Sequence, residues 1–127
     1  MPDLADIQAR ILNGCDPPPR IYLAMPMTPV ADCEFASQVE GRLRKGGWVV
    51  LSPASSGLCA CNYGIPKSVW LEQDFWMLSW CTAICLLPGW ETSEGAQAEL
   101  ALARELHLEE YVWDPELGLT PLETNHV

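Results

Sequence analysis

Apolar positions change their period several times along this chain, and each change marks an element. Within residues 3–13, Leu4, Ile7, Ile11 and Leu12 recur at helical spacing, with Asp3 placed to cap the start and Gly14 to end it. Asp16-Pro17-Pro18-Pro19 follows as a stiff connector. Residues 20–25, RIYLAM, are a short apolar run of strand formers, and Pro26-Met27-Thr28-Pro29 reads as a loop. Between Val30 and Lys45, Phe35, Val39 and Leu43 fall four apart with Ala36 beside them, which predicts an amphipathic helix closed by Gly46-Gly47. Residues 48–51 are continuously apolar, as in a strand covered on both faces. Residues 52–64 show neither period and read as a long loop, and loops of that size in a compact domain are often functional. Pro66 suits the first turn of a helix running to about Trp80. A third strand over residues 82–87, a helix from Gly95 to His107, a short fourth strand over residues 110–113 and a polar tail complete the reading.

The order β-α-β-α-β-α-β predicts an α/β fold: a Rossmann- or flavodoxin-like three-layer sandwich with a parallel sheet of four to five strands. One domain spans 1–127, with residues 1–19 as an N-terminal helix and linker and 114–127 as the tail. The N-terminal helix, being amphipathic, is expected to pack on the domain or on a partner subunit. No G-x-G-x-x-G follows the first strand and no P-loop pattern occurs, so the dinucleotide fingerprint is absent.

Composition narrows the classes. The 127 residues are 49% hydrophobic and include six Trp, which excludes a disordered chain. A net charge of −10, with seven scattered Lys and Arg, excludes nucleic acid and an acidic membrane surface as partners. It does not exclude one small anion held by backbone N–H groups. No run approaches the ~18 apolar residues of a membrane span, and MPDLADIQAR lacks the basic start and apolar core of a signal peptide. The expectation is a cytoplasmic protein with reduced thiols. Cys15, Cys33, Cys59, Cys61, Cys81 and Cys85 contain no C-x-x-C pair, and Cys81 and Cys85 would share a helix face or flank a turn. Buried free thiols are preferred over a zinc site on Cys59 and Cys61, so no metal and no organic cofactor is expected.

The stretch from Leu86 to Glu105 reads as strand, loop and helix N-terminus, the junction at which open α/β sheets bind ligands. Glu99 lies one turn into that helix, over Gly95 and Ala96, so nothing large covers its carboxylate. It is either a reactive carboxylate beside the strand ends or a solvated helix Glu. Asp74 has Trp70, Leu71, Met77 and Leu78 at helical neighbour positions. That stripe suits a general acid that holds its proton, or an Asp at the stripe edge paired with Lys67 or a backbone N–H. Tyr22, in the first strand, either donates to a carboxylate over the sheet end or is a core aromatic with a backbone partner. Ser93 with Thr92 and the N–H groups of Glu94, Gly95 and Ala96 forms an anion site, or simply caps the helix. Two carboxylates and a phenol around a strand-end cleft fit glycosidic chemistry. No Ser-His or Cys-His pair is equally placed, and His107 falls at a helix end.

The segments I-Y-L-A-x-P-M, the Pro53-Ala54 after the second strand and L-L-P-G-W-E-x-S-x-G-A-x-x-E-x-x-x-A resemble the nucleoside 2-deoxyribosyltransferase-like superfamily. Within it the small DUF4406 type and the nucleoside 5′-monophosphate N-glycosidases share this layout, over roughly residues 21–113. The resemblance implies that Glu99 is the nucleophile on C1′, Asp74 the proton donor to the departing base, and Tyr22 the group that positions the nucleophile. Transferases acting on free nucleosides carry an Asp for the 5′-hydroxyl where this chain has Ser93, and a hydroxyl there suits a 5′-phosphate, held with Gly95 and Ala96. Met25 stands where the family has Gly, which reshapes a pocket also lined by Pro26 and Trp90. Thr82 replaces a common Asp and reads as structural. Asn62 or Tyr63 in the unaligned loop are candidates for base selectivity. The implied partner is a small nucleotide, in a homodimer or higher homo-oligomer, with Trp76 and Trp80 as contact candidates.

Overall fold

The structure is a computed structural model and describes residues 3–24, 30–52 and 66–123. The strands are β1 (Arg20–Ala24), β2 (Val49–Leu51), β3 (Ala83–Leu86), β4 (Glu109–Asp114) and β5 (Gly118–Pro121). They form one sheet in the order β2-β1-β3-β4-β5. The first four are mutually parallel, and β5 runs antiparallel on β4. The helices are α1 (Leu4–Leu12), α2 (Val30–Lys45), α3 (Lys67–Trp80) and α4 (Glu94–Glu105).

Strand alternation sorts the core into two layers. Ile21 and Leu23 of β1, with Ala83 and Cys85 of β3, meet Ala36, Val39 and Leu43 of α2. Tyr22 and Ala24, with Ile84 and Leu86, meet Leu78 of α3 and Ala96, Leu100 and Ala103 of α4. The expected three-layer sandwich is therefore present. β1 lies between β2 and β3, with β2 reached through α2 on one face and β3 through α3 on the other. The two crossovers diverge there and leave a crevice beyond the carboxyl ends of β1 and β3.

Thr82 is structural, as its position suggests. Its hydroxyl accepts from Arg20 N (3.0 Å) and donates to Arg20 O (2.9 Å), which ties the start of β1 to β3. Arg20 also donates through Nε to Trp80 O (2.6 Å) and stacks over the Trp80 ring.

Two expectations change. The polar tail from residue 114 is not a tail: β4 turns back into β5. Asp114 Oδ1 accepts from Glu116 N (2.8 Å) and Leu117 N (2.9 Å), an Asx-type turn, and Gly118 takes φ +78. Leu119 then packs against the α2-side core. The N-terminal helix forms, with Asp3 capping Asp6 N (2.8 Å), but it does not pack on the domain. None of its residues is buried, and Leu12 is 85% exposed. Trp76 and Trp80 on α3 are also exposed. Cys81 and Cys85 flank a bend, the second of the two expected arrangements: Cys81 ends α3 before Thr82 and Cys85 lies in β3 after it, buried in different layers, with burial pushing their thiols up to about 11 and about 12. Among the described residues no helix is long and apolar enough to cross a membrane.

Candidate active site

After β3 the chain makes a tight exit. Gly89 adopts φ +95, a left-handed conformation that suits glycine, and a single 3₁₀ turn over Trp90–Thr92 leads into α4. Trp90 is half-buried against the α4-side core. Ser93 is the N-cap: its Oγ accepts from Ala96 N (3.2 Å). The first helical bond of α4 is Gln97 N to Ser93 O (3.0 Å). The N–H groups of Glu94 and Gly95 precede it and are left for solvent or a ligand. Ala96 contributes its N–H to the cap rather than to an outside group. The capping reading of Ser93 is thus realised, and its hydroxyl proton stays available to donate elsewhere.

One turn on, Glu99 is 4% exposed on the buried face of α4, with Ala96, Leu100 and Ala103. It is not a solvated helix Glu. The comparison with Glu40, buried to 5% exposure, is instructive. Glu40 accepts from Arg44 Nη2 at 3.0 Å, whereas among the described residues no cation pairs with Glu99. A buried carboxylate without a cation shifts toward its neutral form. Burial accordingly pushes Glu99 up to about 8; the Tyr22 phenol pulls it down by hydrogen bonding, and the Asp74 charge raises it.

Tyr22 is fully buried in the same layer. Burial, then the charges of Glu99 and Asp74, push its phenol far up, so it is a permanent neutral donor. The Tyr22 phenol and the Glu99 carboxyl lie close enough for each to shift the ionisation of the other, yet Tyr22 Oη and Glu99 Oε2 make no hydrogen bond of good geometry among the described residues. Asp74 lies half-buried on α3, and burial raises its carboxyl to about 6. Its charge reaches both Glu99 and Tyr22. Three separate elements, β1, α3 and α4, thus bring these three groups into one apolar layer of the fold.

The structure also shows a group that the apolar-stripe reading passes over. Trp70 Nε1 is buried without a partner among the described residues. Periodicity counts the indole as apolar, and its spacing of four from Asp74 was the available signal. His107 sits just past α4 at the end opposite Glu94 and is exposed. Met25 and Pro26, together with Cys59, Cys61, Asn62 and Tyr63, lie outside the described residues. Among the described residues no cluster of His, Cys, Asp and Glu could hold a metal ion.

This architecture is similar to that of the 2-deoxyribosyltransferase from Bacillus psychrosaccharolyticus: a solved structure of that enzyme superposes with a TM-score of 0.58 at 20% identity, covering 84% of this chain and 77% of the other. At that identity the likeness concerns the fold. No curated protein matches the chain. Residues 19–111 match the model of the domain of unknown function DUF4406, and the chain belongs to that family.

Proposed function

We propose that the chain cleaves the N-glycosidic bond of a nucleoside or deoxynucleoside 5′-monophosphate, releasing the free base and the sugar 5-phosphate. The observation that carries this reading is the convergence of Glu99, Asp74 and Tyr22, with Tyr22 Oη and Glu99 Oε2 buried and without a hydrogen-bond partner among the described residues. An unpartnered buried polar atom costs about 1–3 kcal/mol, so a ligand that pairs with it regains that cost.

The Glu99 carboxylate attacks C1′ as the C1′–N bond breaks, and the electron pair of that bond leaves with the base. The Asp74 carboxyl gives its proton to the departing base. Water then attacks C1′ of the glycosyl ester, Asp74 takes the water proton, and Glu99 is released as carboxylate. Tyr22 donates to Glu99 and orients it. The apolar layer around the pair strengthens each of these interactions.

Support for a phosphate anchor comes from the start of α4. The helix N-terminus supplies the N–H groups of Glu94 and Gly95 and the Ser93 hydroxyl. A Cβ on Gly95 would meet only Ser93 Oγ, at 3.9 Å, so packing within the chain does not demand glycine there. The free space suits close approach of a ligand. The test is incubation with ribo- and deoxynucleoside monophosphates and with the free nucleosides, scoring released base by chromatography. Release from monophosphates but not nucleosides is expected. Equal reaction of both would remove the phosphate role of Ser93, and a second free base in the mixture tells transfer from hydrolysis by the new nucleotide it forms. Binding of many members with cleavage of none would favour a nucleotide-sensing module.

Tyr22→Phe separates function from folding. It deletes a hydroxyl with no good partner, so unfolding by urea is expected to show stability unchanged or raised by about 1 kcal/mol. Base release is expected to fall roughly tenfold to a hundredfold, the worth of one hydrogen bond to a charged group. A large loss of stability with unchanged turnover would show that Tyr22 only packs.

A further inference from the structure

Three buried polar side-chain atoms have no hydrogen-bond partner among the described residues: Tyr22 Oη, Glu99 Oε2 and Trp70 Nε1. The mechanism uses the first two and leaves the third unexplained. On α3 the inward stripe is Trp70, Asp74, Met77, Leu78 and Cys81, a helical spacing. Burial deepens along it. Leu78 and Cys81 are buried in the α4-side core, while Asp74 and Trp70 are half-buried. Trp70 belongs to neither apolar core. It is also absent from the groove on the other side of α3, which Leu71, Phe75, Trp76 and Leu102 line.

A crossover helix between parallel strands runs back against them, so the first turn of α3 stands at the carboxyl edge of the sheet. Trp70 therefore lies on the open side of Asp74, one turn away, about 6 Å along the helix axis. An indole N–H is a donor only, so whatever pairs with it must be an acceptor. In the glycosidic reading, on which this inference rests, C1′ lies against Glu99, the glycosidic nitrogen against Asp74 and the phosphate at the start of α4. The position one turn beyond Asp74 falls on the base.

We infer that Trp70 contacts the leaving base, its Nε1–H donating to a ring nitrogen or carbonyl oxygen of that base. Negative charge builds on the base as the C1′–N bond breaks, and a fixed donor stabilises it alongside the proton from Asp74. The indole face offers a surface on which a planar base stacks. Trp70 is then a determinant of which bases are released.

The experiment compares the wild-type chain with Trp70→Phe, which keeps an aromatic ring and removes the donor. Substrates are the monophosphates that the wild type cleaves, with analogues weakened at one acceptor: 3-deaza and 7-deaza purines, or 2-thio and 4-thio pyrimidines. The expected result is a roughly tenfold to hundredfold loss of kcat/KM on the parent. On the analogue that lacks the accepting atom the variant and the wild type should differ by less than about twofold, as an uncoupled pair does. Equal losses on the parent and every analogue, or no loss on any, would overturn the inference. Binding of intact nucleotide is measured by calorimetry on Glu99→Gln protein with and without Trp70→Phe. The same pattern of parent and analogue affinities is expected there, so the contact is decided even if no base is released. Absence of base release by the wild type would instead count against the glycosidic reading itself. Urea unfolding of Trp70→Phe checks that the fold is kept.

Discussion

Glu99→Gln is expected to abolish base release, with a fall of roughly 10³-fold or more, the scale on which enzymes lose rate when a covalent nucleophile is removed. The amide keeps the volume of the side chain on the buried face of α4, near the Tyr22 phenol, so the apolar layer stays filled. In the proposed reaction it removes only the negative charge that makes the carboxylate a nucleophile toward C1′. Binding of the intact monophosphate is expected to persist, because the proposed phosphate contacts lie a turn away at Ser93, Glu94 and Gly95. Chromatography of released base and calorimetry of nucleotide binding read the two properties separately. Turnover within tenfold of wild type would take the nucleophile role from Glu99. Parallel loss of binding and turnover would place its effect in the ground state rather than in the chemical step.

The fold was legible where burial imposes a period. The four-apart apolar residues of α2 and the continuous runs of β1 and β3 face the two cores, and they appear where their pattern puts them. The β5 strand was hidden because only Leu119 of its four residues is a strongly apolar side chain aimed at a core. Its true signal was turn chemistry, Asp114 and Gly118 spaced to fold the chain back. The stripe of α1 says that this helix has an apolar face, and it carries no information on what covers that face. At the site, the spacing of Glu99 over Gly95 and Ala96 and the apolar surroundings of Asp74 can be read from the chain alone. The position of Tyr22 in the first strand can be read there too, and the resemblance added the division of roles among the three. Two things were beyond a one-dimensional reading. That Glu99 has no cation beside it among the described residues depends on which faces meet, unlike the Glu40–Arg44 pair, whose spacing of four on one helix is local. The orphaned indole N–H of Trp70 is invisible to a scale on which tryptophan counts as apolar.

The stability of the protein is expected to fall as the pH rises from about 4.5 to about 8, and Glu99→Gln is expected to flatten that fall. The unfolded Glu99 carboxyl ionises near 4.5, whereas burial holds the folded one protonated up to about 8. Between these values the folded state binds the extra proton, so raising the pH favours unfolding; the penalty is absent below the lower value and complete above the upper one. A shift of this size corresponds to several kcal/mol at most, since each pKa unit is worth about 1.4 kcal/mol. Asp74, raised by burial from 3.8 to about 6, adds a smaller penalty of the same sign that is complete by that pH. Urea unfolding of wild type and Glu99→Gln at a series of pH values measures the difference, which should widen in favour of the variant from pH 5 to pH 8.5. Parallel curves would mean that Glu99 is not desolvated. In the proposed reaction the same two carboxyls shape the activity. In the ligand-free protein Asp74 ionises before Glu99, the reverse of the order that a nucleophilic Glu99 and a protonated Asp74 require. The reactive arrangement is then the minor one of the singly protonated pair. The profile of kcat/KM against pH remains a bell with limbs near the two apparent values, because the singly protonated pair carries the reaction whichever carboxyl holds the proton. A donor that turns toward Glu99 raises the reactive fraction, and Tyr22 is placed to be that donor. Tyr22→Phe should therefore move the alkaline limb upward as it lowers the plateau, whereas a change that only loosened packing would bring the Glu99 carboxyl back toward its ordinary value.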